Sequence, residues 1–156
     1  CLVLTLSPEA DYSMVSVQLE GQPHRDFLGP NGQLVFHSNA KGLRLANYYW
    51  PAQSLGTLIN PRGTVTLIHG HGSYLTFDFL KGSLHVLPVY SGSWVEKMNA
   101  EGFSVSGIDN QGAGRSEGLR CYAESMDDYL ADLAAHLDEL ARGHQPGFPA
   151  ALCLPC

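Results

Sequence analysis

The stretch TVTLIHGHG, residues 64–72, joins an uncharged run rich in β-branched side chains to a loop of alternating histidine and glycine. Residues 64–68 have the pattern of a strand that is buried on both faces, as strands of a parallel sheet are. Gly70 and Gly72 allow the loop to turn sharply and to approach a ligand with bare backbone. We therefore predict a buried parallel strand whose carboxyl end leads directly into a glycine-rich loop.

A helix and a second strand follow this stretch. FSVSGI, residues 103–108, is another uncharged, sheet-like run, and it ends in Asp109. Before it, Ser93 and Glu96 have the spacing of a helix capping box, and Gly102 is typical of a helix end. Strand, helix and strand in this order indicate a parallel unit with a crossover helix.

A longer helix is predicted after residue 125. Ser125 and Asp128 form a second capping signal, and Gly143 fits a helix end. Apolar side chains recur between them at helical spacing, namely Met126, Tyr129, Leu130, Leu133, Leu137 and Leu140. We expect the acidic residues to lie on other faces, namely Asp127, Asp132, Asp138 and Glu139. The alternation of strands and helices predicts an α/β fold with a mostly parallel central sheet and flanking helices.

The segment before residue 64 predicts an antiparallel hairpin on the N-terminal side of the sheet. Residues 34–36 and 43–46 are strand-like, and the turn NAKG at 39–42 contains the Asn and Gly that tight hairpins favour. Pro51 ends the second strand, because proline cannot donate a ladder hydrogen bond.

The chain divides into an irregular segment, residues 1–30, and a partial α/β domain, residues 31–156. The first segment alternates poorly and carries several prolines and glycines, with one strand expected near residues 14–19. No internal repeat divides the remainder into further units.

Composition argues against several classes of function. Nine basic and fifteen acidic residues give a net charge of −6, and the arginines are scattered, which argues against a nucleic-acid partner. No apolar run reaches the roughly 18 residues of a transmembrane segment. The C-x-x-C motif of Cys153 and Cys156 lacks the following helix that redox chemistry needs. We expect no metal and no cofactor, and a soluble intracellular protein for which only peripheral membrane contact stays open.

The loop HGHG, residues 69–72, is the first candidate for chemistry. Its backbone N–H groups can point at the oxyanion of an acyl-transfer reaction. A tight strand-to-helix connection without chemistry explains the same residues, and the pattern alone leaves both interpretations open. A third interpretation pairs His69 and His71 as metal ligands of a hydrolase. It is disfavoured because no histidine stands beside Asp78 to complete such a site.

The string GRSEG, residues 114–118, matches G-x-S-x-G, the pattern of a nucleophile elbow. An elbow needs a strand directly before the serine and a helix directly after it. Here residues 109–113 read as a loop, and no helix signal occurs until Ser125. We therefore disfavour Ser116 as a nucleophile, which leaves no catalytic side chain assigned in the chain.

Three segments together carry the pattern of a known family. They are LIHGHG at residues 67–72, WVE at 94–96 with GF at 102–103, and DNQGAGRSEG at 109–118, which fits D-x-x-G-x-G-x-S-x-G. Over residues 33–152 the chain resembles the N-terminal half of monoacylglycerol lipase-type α/β-hydrolases, a group with serine aminopeptidase-like and lysophospholipase-like members. The resemblance implies hydrolysis of carboxylic esters, lipid-like acyl glycerols, by a Ser-His-Asp mechanism. Its partner would be a small-molecule acyl ester.

The resemblance also implies roles for individual residues. His71 would supply one oxyanion-hole amide through its backbone N–H, with His69, Gly70 and Gly72 shaping the loop. The D-x-x-G-x-G-x-S-x-G segment would be structural and brace the base of the site. Its residues are Asp109, Gly112, Gly114, Ser116 and Gly118.

The family pattern is lost near Cys153. The nucleophile elbow is expected after a fifth strand that residues 147–152 begin, so the serine would fall near Cys156. Pro155 does not suit a central strand. We expect the nucleophile, the acid and the base histidine beyond the truncated domain, and a chain that is inactive and marginally stable when expressed alone. A non-catalytic fragment or a partner-binding pseudo-hydrolase is the alternative that stays open.

Overall fold

The computed structural model describes residues 27–83 and 86–142. The strands are β1 (Gln33–Ser38), β2 (Arg44–Trp50), β3 (Gln53–Ser54), β4 (Thr57–Leu58), β5 (Gly63–Leu67), β6 (Lys81–Ser83), β7 (Val86–Val89) and β8 (Phe103–Ile108). The helices are α1 (Leu75–Phe79), α2 (Trp94–Ala100) and α3 (Met126–Ala141). None of these helices is long and apolar enough to span a membrane. The strands expected near residues 14–19 and at residues 147–152 lie outside the described residues, as does the C-x-x-C motif.

The main sheet has four strands in the order β1–β2–β8–β5. β1 and β2 pair antiparallel, as predicted for the N-terminal hairpin, and β2 also pairs antiparallel with β8. β5 and β8 are parallel neighbours, and the connection between them contains α1, the β6–β7 hairpin and α2. The predicted α/β fold is confirmed, and its two parallel strands end at the same edge of the sheet.

Asn39 closes the turn between β1 and β2. Its Oδ1 accepts hydrogen bonds from the N–H groups of Lys41 and Leu43, both at 3.0 Å. Gly42 follows with a φ of +80°, a conformation that suits glycine. β2 ends at Trp50, directly before Pro51, as the sequence predicts.

The burial of β5 differs from the prediction for residues 64–68. Leu67 is buried, but residues 63–66 are half-buried, and Ile68, just past the strand, is 59% exposed. Within the described residues β5 is an edge strand, because β8 alone pairs with it. An edge strand leaves part of its backbone and side chains open to solvent. The expectation of burial on both faces is therefore wrong for this part of the sheet.

Aromatic side chains of β2 dominate the core. Tyr48 and Trp50 are fully buried and stacked, with ring centroids 5.7 Å apart. Leu75 of α1, Val95 of α2 and Val105 of β8 belong to the same apolar cluster. This cluster fixes α1 and α2 against one face of the sheet.

α2 begins at the predicted cap. The Ser93 Oγ accepts a hydrogen bond from the Glu96 N–H at 3.1 Å. Near the other end of the helix, the fully buried Asn99 donates from Nδ2 to the Trp50 carbonyl at 3.1 Å. The same Nδ2 donates at 2.9 Å to the carbonyl of Phe103, the first residue of β8. The side-chain amide of Asn99 thus connects the helix to two strands, β2 and β8.

α3 begins at the predicted capping box of Ser125 and Asp128, but it buries a different face. Met126 and Leu130 are 68% and 56% exposed, whereas the buried residues of the helix include Asp132 and His136. The predicted apolar face is therefore wrong in its first two turns. Polar side chains of the β1–β2 hairpin provide partners for the buried polar residues of α3, which an apolar periodicity cannot reveal.

Candidate active site

The carboxyl ends of β5 and β8 bring the two motifs of the sequence together. β5 leads into the loop that contains residues 69–72, and β8 leads into the segment 109–118. Because the two strands are parallel neighbours, both connections leave the sheet at the same edge. Ligand sites of α/β folds form at this edge. The candidate site is built from these two segments.

The glycine-rich loop contains a type II turn over residues 70–73. The Ser73 N–H donates to the Gly70 carbonyl at 3.2 Å, and Gly72, the third residue of the turn, has a φ of +80°. His71 is not among the described non-glycine residues with positive φ, which distinguishes type II from type I′. A methyl group added at Gly70, in contrast, would meet nothing within 4 Å.

The His69 ring links the loop to the second segment. This side chain is buried, with 5% of the residue exposed. Nε2 accepts a hydrogen bond from the Asn110 N–H at 2.9 Å. Nδ1 lies 2.8 Å from the Gly70 carbonyl oxygen and must donate, because that oxygen can only accept. The imidazole is therefore neutral with its proton on Nδ1, and both ring nitrogens are engaged.

The same contacts orient the His71 N–H. The Gly70 carbonyl and the His71 N–H belong to one planar trans peptide, so they point in opposite directions. Hydrogen bonds from the His69 ring and from the Ser73 N–H fix the carbonyl. The His71 N–H therefore faces away from the turn. Within the described part of the chain it donates to no backbone acceptor.

Asp109 connects three parts of the chain from a fully buried position. Its Oδ1 accepts a hydrogen bond from the Leu75 N–H, at the start of α1, at 2.8 Å. Its Oδ2 accepts from the Tyr48 hydroxyl and from the Arg115 N–H, both at 2.9 Å. Burial raises the pKa of this carboxyl, and these three hydrogen bonds oppose the rise. The carboxylate thus caps α1 and fixes the segment 109–118 beside the glycine-rich loop.

Ser116 is engaged on both sides of its hydroxyl. The Oγ donates to the Asp109 carbonyl at 2.5 Å and accepts from the Ala46 N–H at 2.9 Å. Turns precede this serine, and the next described helix begins only at Met126. An elbow serine stands between a strand and a helix with its hydroxyl facing the substrate. Ser116 instead connects the segment 109–118 to β2.

Three glycines of this segment have positive φ. The values are +72° at Gly112, +50° at Gly114 and +118° at Gly118. A Cβ at Gly112 would overlap the Leu119 carbonyl oxygen, and one at Gly114 would overlap the Asp109 carboxylate. Glycine is therefore required here both by conformation and by the close approach of other atoms.

The histidine pair of the loop is not arranged as a metal site. Both nitrogens of His69 are engaged in hydrogen bonds, so this ring has no lone pair left for a metal ion. His71 lies exposed on the turn. Across residues 27–83 and 86–142 no group of three or more His, Cys, Asp or Glu side chains could hold a metal ion. The ring contacts of His69 therefore give the metal interpretation of His69 and His71 no support.

Two partners in this site have no signal in the sequence. Tyr48 is one of three consecutive aromatic residues in β2, and only the structure shows that its hydroxyl reaches Asp109. Leu75 takes part through its backbone N–H, so its side chain carries no information about the contact. Tyr74, at the N-cap of α1, makes no side-chain capping bond. The start of α1 is instead capped from another segment, through the bond of the Leu75 N–H to Asp109.

Comparison with known protein families matches the part of the chain that contains the candidate site. A family model described as serine aminopeptidase, S33, matches residues 59–153, more than half of the chain. This range includes both segments of the site. A search of curated proteins finds no match.

Solved structures show a related fold. An esterase from Pyrococcus furiosus matches in two crystal forms with TM-scores of 0.51 and 0.54 and sequence identities of 18% and 20%. The matches cover 82% and 80% of this chain and 40% and 41% of the esterase chain. A soluble variant of monoglyceride lipase from Saccharomyces cerevisiae, in complex with a substrate analog, matches with a TM-score of 0.48 and 23% identity. That match covers 75% of this chain and 33% of the lipase chain. The chain therefore spans about two fifths of the length of the esterase.

Proposed function

Because the chain belongs to the serine aminopeptidase S33 family of hydrolases, we propose that its two site segments form the oxyanion side of an active site for carboxylic-ester hydrolysis. The proposed substrates are acyl glycerols with one lipid-like chain. Substrates of this kind partition into lipid surfaces, so peripheral membrane contact is part of the same proposal.

One observation carries this proposal, namely the orientation of the His71 N–H. The donor lies at the carboxyl edge of the sheet, and its direction is fixed through the Gly70 carbonyl. An oxyanion hole needs such a donor, placed before the reaction begins, so that no reorganisation is required as charge develops. Removal of one such donor in a serine hydrolase costs about 100- to 1,000-fold in kcat.

The proposed chemistry assigns separate roles to the two segments. A serine attacks the acyl carbon of the ester, and a histidine accepts its proton and returns it to the leaving alcohol. The His71 N–H would donate to the carbonyl oxygen as that oxygen becomes negative. Asp109 and Ser116 would keep the loop in place without contact with the substrate. The attacking serine would be a residue other than Ser116, so the described residues alone would not turn over an ester.

A pair of substitutions at one position tests the role of the His71 backbone. His71→Ala removes the exposed side chain and keeps the N–H. His71→Pro removes the N–H at the second position of a type II turn, which accepts proline readily. The two variants therefore separate the imidazole from the amide.

The readout is the 15N–1H spectrum of the protein titrated with butyrate, whose carboxylate is an acceptor similar to the acyl oxyanion. We expect the largest shift at the His71 amide, unchanged affinity in His71→Ala, and at least about tenfold weaker affinity in His71→Pro, since a hydrogen bond to a charged group contributes about 1.5–3 kcal/mol. Equal affinities of the proline variant and the unchanged protein, or no response at this amide, would contradict the proposal.

A further inference from the structure

A buried polar cluster lies beneath α3, on the face of the sheet opposite to Tyr48. Side chains alternate along a strand, so Asn47 and Tyr49 of β2 face away from the core that holds Tyr48 and Trp50. Both are buried, and α3 contributes the buried side chain of His136 to the same place. The His136 ring stacks on Tyr49 with ring centroids 5.5 Å apart.

The proton position on His136 follows from its hydrogen bond. Nδ1 lies 2.8 Å from the Asn47 Oδ1. The Asn47 Nδ2 donates to the Leu45 carbonyl at 2.8 Å, which fixes the amide with its oxygen toward the ring. Nδ1 therefore donates, and Nε2 of the neutral ring is an acceptor.

That Nε2 has no hydrogen-bond partner among the described residues, although His136 is only 3% exposed. Asp132 lies one helical turn earlier and is also buried. Its Oδ2 likewise has no hydrogen-bond partner among the described residues. Its other oxygen accepts from the Asn39 Nδ2 at 3.0 Å. A proton added to Nε2 would create a buried positive charge with no partner in place, which is costly.

The ionisable groups around His136 lie on β1, β2 and α3. β1 contributes His37, whose positive charge opposes a second one on His136. β2 contributes Tyr49, and burial raises the pKa of its hydroxyl to about 12, so it is neutral. β8 has no ionisable side chain. α3 itself contributes Asp132 and, beside Tyr49, Glu139.

Asp132 offers little compensation for a charge on His136. Burial raises the pKa of its carboxyl, and the charge that acts on the pKa of His136 is that of His37. The surface pairs of Lys41 with Glu124 and Asp128 lie near the start of α3, at 2.7 and 2.9 Å, and do not involve His136. The two ends of the helix are thus attached in different ways.

We propose that protonation of His136 controls the contact between α3 and the β1–β2 hairpin. α3 packs on the sheet while His136 is neutral and detaches when its Nε2 is protonated. This pH-dependent contact is independent of the proposed hydrolase function, because it lies on the other face of the sheet. Its ligand is the proton itself, taken up at mildly acidic pH.

The direction of the pH effect follows from the pKa of His136. Burial, with His37, lowers this pKa from 6.5 to about 4 in the folded protein. A depressed pKa means that the packed state excludes the proton. The contribution of His136 to packing is therefore complete above pH 6.5 and declines as the pH falls from 6.5 towards 4. Complete protonation would reduce the packing equilibrium on the order of a hundredfold.

Hydrogen exchange and an imidazole titration test this proposal on the whole chain. We expect the α3 amides to lose at least tenfold in protection, relative to β8 amides, between pH 7 and 4.5 after correction for intrinsic exchange. His136→Gln, which can still donate to Asn47, should remove this pH dependence. His37→Gln should weaken it, because the loss of one opposing charge raises the pKa of His136 in the folded protein back towards 6.5.

Two results would overturn the proposal. One is protection of α3 that stays constant relative to β8 over this pH range, or that keeps its pH dependence in His136→Gln. The other is an ordinary His136 midpoint near 6.5 in 15N-detected titration of the unchanged protein, which needs no variant and decides the matter if His136→Gln does not fold.

Discussion

The Asp109 carboxylate accepts a hydrogen bond from the Leu75 N–H at 2.8 Å, and this bond joins the end of β8 to the start of α1. The glycine-rich loop lies between β5 and α1 along the chain. Its two ends are therefore fixed independently, by pairing of β5 with β8 and by this cap. A small loop fixed in this way can present a backbone donor in a constant direction.

Replacement of one carboxylate oxygen of Asp109 by an amide NH₂ group should destabilise the protein. In Asp109→Asn the new NH₂ group must face at least one of the three donors that now contact the carboxylate. A buried donor without an acceptor costs about 1–3 kcal/mol, so we expect a loss of at least that size in urea unfolding. Asp127→Asn, on the exposed side of α3, is the matched control and should change stability by no more than about 0.5 kcal/mol. Equal effects of the two substitutions would contradict this role of Asp109.

Gly114 and Gly70 should differ sharply in their tolerance of alanine. Gly114 has a φ of +50° and its Cβ would overlap the Asp109 carboxylate, whereas a Cβ at Gly70 meets open space. We expect Gly114→Ala to lower the free energy of unfolding by more than about 2 kcal/mol and Gly70→Ala by less than about 1 kcal/mol. Thermal unfolding of both variants measures the difference. A stable Gly114→Ala variant would show that the segment 109–118 can shift.

Ser116→Ala should destabilise the fold. The substitution removes the acceptor of the Ala46 N–H and a donor to the Asp109 carbonyl. We expect a loss of about 1–3 kcal/mol in chemical unfolding. Ser38→Ala, at the exposed end of β1, should be nearly neutral. An unchanged stability in Ser116→Ala would remove the structural reason for this serine.

Asp132→Asn should stabilise the protein at neutral pH. Burial raises the pKa of Asp132 above its unfolded value, so the charged carboxylate destabilises the folded state once the pH exceeds the folded pKa. The substitution keeps an oxygen that can accept from Asn39. Its stabilising effect should be present at pH 8, amount to a rise of a few degrees in Tm, roughly, and shrink as the pH falls towards 4. A larger gain at low pH than at high pH would reverse the sign and contradict this account.

The sequence predicts the parts of the fold that depend on local patterns. The uncharged runs at 64–68 and 103–108 coincide with β5 and β8, and the capping residues Ser93 and Ser125 stand at the starts of α2 and α3. These signals involve neighbours within a few residues, so the amino-acid sequence alone contains them.

The parts that depend on distant residues are not predictable in this way. The buried His136 is satisfied at Nδ1 by a distant residue, because the Oδ1 of Asn47, 89 positions earlier, accepts its hydrogen bond. The apolar periodicity of α3 places the wrong residues inside, because it treats buried side chains as apolar. Similarly, the contact of Tyr48 with Asp109 spans 61 positions and has no motif.

The candidate site shows the same division. Its glycines mark the turns, since positive φ and close approach favour glycine at Gly72 and Gly114. The serine motif alone predicts a nucleophile, whereas the turns around Ser116 and the two hydrogen bonds of its hydroxyl favour a structural role. The direction of the His71 N–H, however, requires the two hydrogen bonds to the Gly70 carbonyl, which only the structure reveals.

Reaction of the purified chain with a fluorophosphonate tests most directly whether Ser116 is part of the framework or the nucleophile. Such a reagent forms a phosphonate ester with an activated serine and releases fluoride, and mass spectrometry of peptides locates the adduct. We expect no adduct on Ser116 and no hydrolysis of p-nitrophenyl butyrate above the buffer rate. An adduct on Ser116, or ester hydrolysis that Ser116→Ala abolishes, would contradict it.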